Sequence, residues 1–555
     1  MAAKCMSRKA AKIVLWVAAA ILVVSVTILL IFPTVYKNQL KSDVTLTDGS
    51  LLTGIWRDIP LPLYEKLYFF NITNGDDFLN NKAPLNVTEM GPYTYSARWV
   101  KRYPEWHSNG TVSYRETRTY HFEPQLSVGS QEDVITTLNG PLIIAAEILK
   151  QYSPFERTLA SLALGIAGEH VIIQKTVKEL AYEGYPDTIM KLARFVVPNS
   201  PYQDGRFSWL YGKNATNDGV FTVFTGETDP KLTNIINKWN GQDKVTFWKN
   251  DTCNTIKGTS IETGPPLPDV PESYTFFQSI FCRSLTFNYT GDVNHYGVVT
   301  KRFKPTQNVF ANGTEYPDNS CFDVKARPSG VSDIKNCQFG APALISWPHF
   351  YMADPSYLKD INGLQPNEED HSSHLDADPI TGISLDIQVR FQINLEMSRV
   401  PGLLQFSNVP EGIFPVFWAG LEIHVTDDWA HFLKGQLNNP KIIAYSVLGG
   451  LVLICLVLII ISLIVLRKTA DDDEDDPLID VKEEHKQNLS KKVIVPNYNS
   501  SDSYKEGTSG INQRRAMKES EASQSGSINS SFPTGAYEED DVTVIPVDPS
   551  IDKKS

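Results

Sequence analysis

Two apolar runs near the ends of the chain decide most of what it can become. Ile13 to Val35 reads IVLWVAAAILVVSVTILLIFPTV, and Ile442 to Leu466 is a second such run. At about 1.5 Å of rise per residue each would span roughly 30 Å or more as a helix, enough for a hydrocarbon core. The first is too long for a signal-peptide core and lacks a small-residue cleavage site, so it reads as an uncleaved anchor. Lys4, Arg8, Lys9 and Lys12 precede it, and Arg467 and Lys468 follow the second run. Only Lys37, Lys41 and Lys441 lie close on the inner flanks. The positive-inside rule therefore places both termini in the cytosol. The expected layout is a cytosolic start (1–12), a span (13–35), a lumenal or extracellular domain (36–440), a second span (441–466) and a disordered cytosolic tail (467–555).

Glycosylation sequons at Asn71, Asn86, Asn109, Asn214, Asn250, Asn288 and Asn312 fit a segment exposed to the secretory pathway. Those at Asn488, Asn499 and Asn529 fall in the tail and are expected to stay bare. Cys253, Cys282, Cys321 and Cys337 are the cysteines of the middle segment, an even number suited to an oxidising compartment. Four cysteines allow three pairings, and their spacing does not choose among them. A Cys-x-x-Cys zinc pattern is absent. Cys5, beside the first span, is a candidate for palmitoylation.

The middle segment alternates like sheet. In GISLDIQVRFQINLEM the apolar set Ile383, Leu385, Ile387, Val389, Phe391, Ile393, Leu395 and Met397 points one way and a polar set the other. That period predicts a long strand with one apolar face. TVSYRETRTYHFEP repeats the pattern more loosely through Val112, Tyr114, Tyr120 and Phe122. From about 141 to 195 the spacing becomes helical: Leu159, Leu162 and Ile166, then Ile173, Val177, Leu180 and Ala181. These apolar faces suit either core or a partner's surface, and core is the expectation. Pro186 and Asp187 mark a further helix start.

Catalytic patterns are missing: there is no Gly-x-Ser-x-Gly elbow, phosphate-cradling loop or His-Glu-x-x-His. The absence of phosphate loops and dense cysteines argues against a two-span ecto-nucleotidase. The net charge of −13 argues against a nucleic-acid partner. PNEEDHSSHLDADP gathers Glu368, Glu369, Asp370, His371, His374, Asp376 and Asp378. Its spacing matches no calcium loop or zinc helix, so it reads as a solvated acidic loop with no metal. His170 can titrate between neutral and endosomal pH.

Several motifs, in order, carry a resemblance. They are TEMGPYTY (88–95), TYHFEPQLSVGSQEDVI (119–135), FCRSLTF (281–287), DNSCFD (318–323), GAPALISWPHFYMADP (340–355), INGLQPNEEDH (361–371) and LDADPITG (375–382). With the two terminal runs, the chain resembles the class B scavenger receptors over nearly all of residues 8–468. That family includes the fatty-acid translocase, the high-density-lipoprotein receptor and lysosomal integral membrane protein type 2. The resemblance implies a β-rich α+β ectodomain: a large antiparallel β-barrel-like body, an apical helical bundle and an apolar tunnel toward the membrane. It implies binding and uptake of lipids, lipoproteins or apoptotic and other lipid-bearing particles, with no cofactor and no catalysis. Its lysosomal branch implies instead a lumenal protein cargo. It also implies the pairs Cys253 with Cys321 and Cys282 with Cys337. Asp323 stands where the lipid-uptake branch has one end of an additional bridge. An apical lysine of the fatty-acid translocase has no counterpart in IAGEH (166–170). Lys175, Lys178, Lys191 and Arg194 are the remaining basic candidates for a ligand-binding apex, offset by Glu169, Glu179, Glu183 and Asp187.

The tail holds DEDDPLID (473–480), six residues past the apolar run. Glu474, three residues, then Leu478 and Ile479 form the pattern of an acidic dileucine signal. The two apolar side chains would fill a pocket on a clathrin adaptor while the carboxylate meets a basic patch. Pro477 favours an extended backbone before it, which suits groove binding. The expected residence is the plasma membrane and the endosome or lysosome membrane.

Overall fold

The structure, a computed structural model, describes residues 7–196, 204–322, 325–338, 340–437 and 439–474. Both apolar runs are helices, and both exceed the runs themselves: Arg8–Asp43 and Asn439–Glu474. They pack side by side along a seam of small residues. Ala11, Ala18 and Ser25 are buried at seven-residue spacing on the first helix, and Cys455 and Ser462 at the same spacing on the second. Small side chains let two backbones approach where lipid supplies no hydrophobic drive. At the ectodomain end, Phe32 meets the edge of Tyr445 with ring centroids 5.4 Å apart.

Between the spans lies one 14-stranded, mostly antiparallel sheet. Its order runs Ser273–Gln278, Arg283–His295, Val298–Lys304, His374–Ala377, Ser384–Met397, Gly412–His424, Leu63–Ile72, Leu85–His107, Thr111–Phe122, Val220–Phe224, Ile236–Trp239. The two edges nearly meet, because Thr259 bridges Ile235 on one side and Phe276 on the other. Its N–H donates to Thr275 O at 3.1 Å, and Ile236 N–H donates to Gly258 O at 2.9 Å. Position 258 must be glycine: its φ is +87°, and a Cβ there would sit 2.1 Å from Thr275 O. This almost removes the exposed edges that a large open sheet would present.

The segment that closes the sheet also reaches across it. Thr263 bridges Ile383, and Glu262 Oε1 accepts from Lys101 Nζ at 2.6 Å. Lys101 is 0% exposed, donates to Glu116 Oε2 at 2.8 Å, and lies 5.5 Å from the ring centroids of Trp56 and Tyr114. Arg118 extends the network from Glu116 to Asp218. Burial alone would raise the Glu116 carboxyl; Lys101 and Arg118 outweigh it and hold the group down at about 2.

The Ser384–Met397 strand carries the expected alternation, with Leu385, Ile387, Val389, Leu395 and Met397 buried. Its polar face is also covered. Gln392 and Asn394 are fully buried and bonded to each other, to His349 N–H and to Ser346 Oγ. The 141–195 region departs from expectation. Helices occupy Gly140–Leu149, Pro154–Ile166, Val177–Leu180 and Thr188–Val196, but Ile173 lies on a strand, Ile172–Thr176. That strand pairs with Val134–Leu138, where β-branched residues are at home. Asp187 does start a helix, its Oδ1 accepting from Met190 N–H at 2.9 Å.

Cys253 pairs with Cys321 and Cys282 with Cys337, each with Cα atoms 6.1 Å apart. The best-formed cavities among the described residues hold about 20, 10 and 30 Å³. Each has room for a water or two and none for an acyl chain.

Lys101→Met leaves Glu262 buried without a cation and Glu116 with Arg118 alone, and should cost about 3–5 kcal/mol. Adding Glu262→Gln should recover part of that loss. Denaturant unfolding of the purified protein in detergent checks both; equal stability of Lys101→Met and the unaltered protein would contradict the account.

Candidate functional site

The strand Gly412–His424 gives the body a polarity. Its His424 end leads through the helix Asp427–Leu437 to the second span, so its other end is remote from the membrane by on the order of 40 Å. The 398–411 connection at that remote end carries the helix Pro154–Ile166. Leu404 N–H donates to Ser161 Oγ at 2.8 Å, and Arg157 donates to Pro401 O at 3.0 Å. Pro154 at the first position and a Ser153–Glu156 capping box set where the helix begins.

With Ser161 buried against that connection, the opposite face of the helix is open. Phe155, Leu159, Leu162 and Ile166 form a continuous apolar stripe, from Leu159 at 53% to Ile166 at 81% exposure. Leu404 is exposed close by. This corrects the expectation that Leu159, Leu162 and Ile166 are core. Helical periodicity states that a face is apolar, not what covers it. A patch of this kind marks an interaction surface.

The basic candidates for a ligand-binding apex have these surroundings. Lys175 sits over the Tyr185 ring at 4.2 Å, and Lys178 is paired with Glu132. Lys191 and His170 are exposed, and of Arg194 only the backbone is described. Burial and the neighbouring Asp187 raise the Glu169 carboxyl, which accepts from Asn139 Nδ2 at 3.1 Å.

The 366–379 segment also differs from a solvated loop. Glu368 and Glu369 are exposed on a short helix, but His371, Asp376 and Asp378 are buried. His371 stacks on His349 with ring centroids 4.1 Å apart, and His349 Nε2 meets Glu89 Oε2 at 2.6 Å. These three offer ligand atoms within 4.8 Å of one another. Their hydrogen bonds favour a different use. Gln365 N–H donates to His349 Nδ1 and Asn367 N–H to His371 Nδ1, both at 3.0 Å. Each neutral ring then carries its hydrogen on Nε2, where a metal would need a lone pair. His349, Phe350 and Met352 all have φ between 54 and 59°, a conformation that costs non-glycine residues energy. The histidine pair thus pins the 361–371 loop over strained backbone.

A second cluster crosses the sheet nearer the membrane. Arg302 grips Asp376 through two bonds of 2.7 Å, and His295 adds a third. Asp386 accepts from His374 at 2.7 Å and His424 at 2.8 Å, and Glu422 pairs with Lys66 at 2.6 Å. Bonds from Asp386 and Glu422 raise the His424 imidazole to about 9. Burial, helped by the neighbouring His349, lowers His371 to about 4.

Of the sequons, Asn109, Asn214, Asn250 and Asn288 are exposed, while Asn71, Asn86 and Asn312 are half-buried. Asn312 Nδ2, the atom a glycan would occupy, donates to Arg327 O at 3.1 Å. Cys5, Leu478, Ile479 and the tail sequons lie outside the described residues, and of Glu474 only the backbone is described.

Two terminal membrane helices, a nearly closed antiparallel body with crossed disulfide loops, and an exposed apolar helix at its far end define a two-span receptor of the scavenger type. The chain belongs to the CD36 family, whose model matches residues 16–466. It is 35% identical to scavenger receptor class B member 1 of Mus musculus over 394 residues, 71% of this chain and 77% of that one. It is 33% identical to lysosome membrane protein 2 of Homo sapiens over 433 residues, 76% of this chain and 88% of that one. The Bos taurus class B member 1 is 32% identical over 437 residues, covering 79% and 85%.

The two histidines should bend the stability profile in opposite directions. His424, raised when folded, contributes fully below about pH 6.5 and loses that contribution as pH climbs through about 9. His371, lowered when folded, contributes above about pH 6.5 and loses it as pH falls toward about 4. Thermal unfolding across this range should show His424→Gln flattening only the alkaline limb and His371→Asn only the acid limb.

Proposed function

We propose that this protein is an endocytic receptor that captures lipid-bearing particles on the stripe of Phe155, Leu159, Leu162 and Ile166. The observation that carries the reading is the exposure of four large apolar side chains on one helix face, remote from the membrane. An apolar stripe of this kind favours an apolar lipid surface as its partner. Lipid taken from such a particle would pass inward through the barrel. On this reading both termini are cytosolic, the sequons are glycosylated, and Glu474, Leu478 and Ile479 engage a clathrin adaptor that cycles the protein between surface and endolysosome.

A second reading, a sorting receptor with a lumenal protein cargo, is supported by the similarity to lysosome membrane protein 2 and by the acidic dileucine pattern. Pull-down at neutral and acidic pH, with mass spectrometry of lipid and protein, separates the two. Stoichiometric lipid favours the first, and one dominant protein released by acid favours the second.

Leu162→Glu with Ile166→Glu should cut uptake of fluorescent lipid particles by about tenfold or more at unchanged surface level, as for loss of an interface hot spot. Unchanged uptake would remove the stripe from the mechanism. Leu478→Ala with Ile479→Ala should shift the protein from endolysosomes to the surface, read by surface biotinylation. An unshifted distribution would assign sorting to another part of the tail.

A further inference from the structure

Arg283 differs from the other deeply buried cations. It opens the strand Arg283–His295, directly after Cys282, and is 5% exposed. Lys101 has two carboxylates, and Arg327 has Asp333 and Glu396. Among the described residues Arg283 has none. One terminal nitrogen donates to Ser332 Oγ at 2.9 Å, the other to Val309 O at 3.2 Å, and Nε has no partner. The rings of Phe322 and Phe310 lie 3.8 and 6.0 Å from the guanidinium carbon. Burial pulls its pKa down to about 9, still above neutrality, so the group is a cation at physiological pH. A full charge with five donors, two neutral acceptors and no counter-charge among the described residues is an arrangement that folded proteins avoid.

The guanidinium lines a cavity of about 20 Å³, shared with Phe310, Asn319, Phe322, Arg327 and Ser332. Asp333 also lines it, but its carboxylate is held by Arg327 at 3.1 Å and by Lys335 N–H at 2.8 Å. The space suits a guest about the size of a water or a single small ion. Unspent N–H donors and a positive charge suit a weakly hydrated anion better than a water, which leaves the charge uncompensated.

We infer that this cavity binds one small monovalent anion, a halide with chloride as its abundant member, as the counter-ion of Arg283. The anion would tie the start of the Arg283–His295 strand to the 309–333 segment. Both disulfides anchor in these stretches, through Cys282 and Cys321, so the site would brace the disulfide-closed wall of the body.

The test uses the purified full chain in detergent. Chlorine-35 NMR should show line broadening by the unaltered protein, displaced by bromide and abolished in Arg283→Met. Exchanging gluconate for chloride at equal ionic strength should raise the melting temperature by about 2–4 °C in the unaltered protein only. Absence of broadening, or broadening unchanged in Arg283→Met, overturns the assignment. Should that variant fail to fold, bromide anomalous scattering from crystals of the unaltered protein decides. A peak within hydrogen-bonding distance of the guanidinium supports the site, and water alone there overturns it.

Discussion

The ammonium of Lys101 is the point at which three distant parts of the chain agree. It rises from the Leu85–His107 strand, while Glu116 comes from the next strand and Glu262 from the segment that joins the sheet's two edges. A buried charge tolerates no approximate placement, because any loosened partner leaves a net charge in a low-dielectric interior. Closure of the sheet and burial of the lysine are therefore one event. Trp56, just past the first span, joins the same assembly by donating to Asn234 Oδ1, whose amide in turn donates to Thr263 O.

Placing the closing segment at this end has a consequence for the opposite one. Glu262, Thr263, Ile383 and Trp429 surround a space of about 10 Å³ close to where the chain re-enters the membrane. The membrane-proximal end is thus packed and cross-bonded, and the far-end helix Pro154–Ile166 leaves four large apolar side chains uncovered. The molecule divides its labour between a rigid base that fixes orientation and a distal helix free to meet a partner.

The sequence disclosed the elements and their class because each rests on a local signal. The spans follow from uninterrupted apolar runs, the Ser384–Met397 strand from alternation over its whole length, and Asp187 from a capping side chain at a helix start. What it concealed depends on distant pairs. Nothing within Leu159–Ile166 distinguishes a face covered by the body from one left open. Gln392 and Asn394 sit on the polar side of the alternation; they are buried and bonded to each other, to His349 N–H and to Ser346 Oγ. His371 was visible as a histidine in an acidic run, whereas Glu89 and His349 lay in quoted motifs with no local sign that the three would converge. Arg283 was likewise inside FCRSLTF, and its isolation appears only when the surrounding residues are known.

The pairing of the first long strand with the last, Leu63 opposite Ile423 through Phe69 opposite Phe417, sets a timetable for biosynthesis. Nearly the whole ectodomain lies between these partners, so the central seam of the sheet cannot form until its final strand has left the ribosome and crossed the membrane. Until then Leu63–Ile72 waits with one edge open beside the anchored first helix. Closing so long a loop is slow, and an unpaired strand edge attracts wrong partners in the interval. The cell must shelter this nascent chain until Gly412–His424 has emerged, and a truncation before that strand would yield an open sheet and not a smaller receptor.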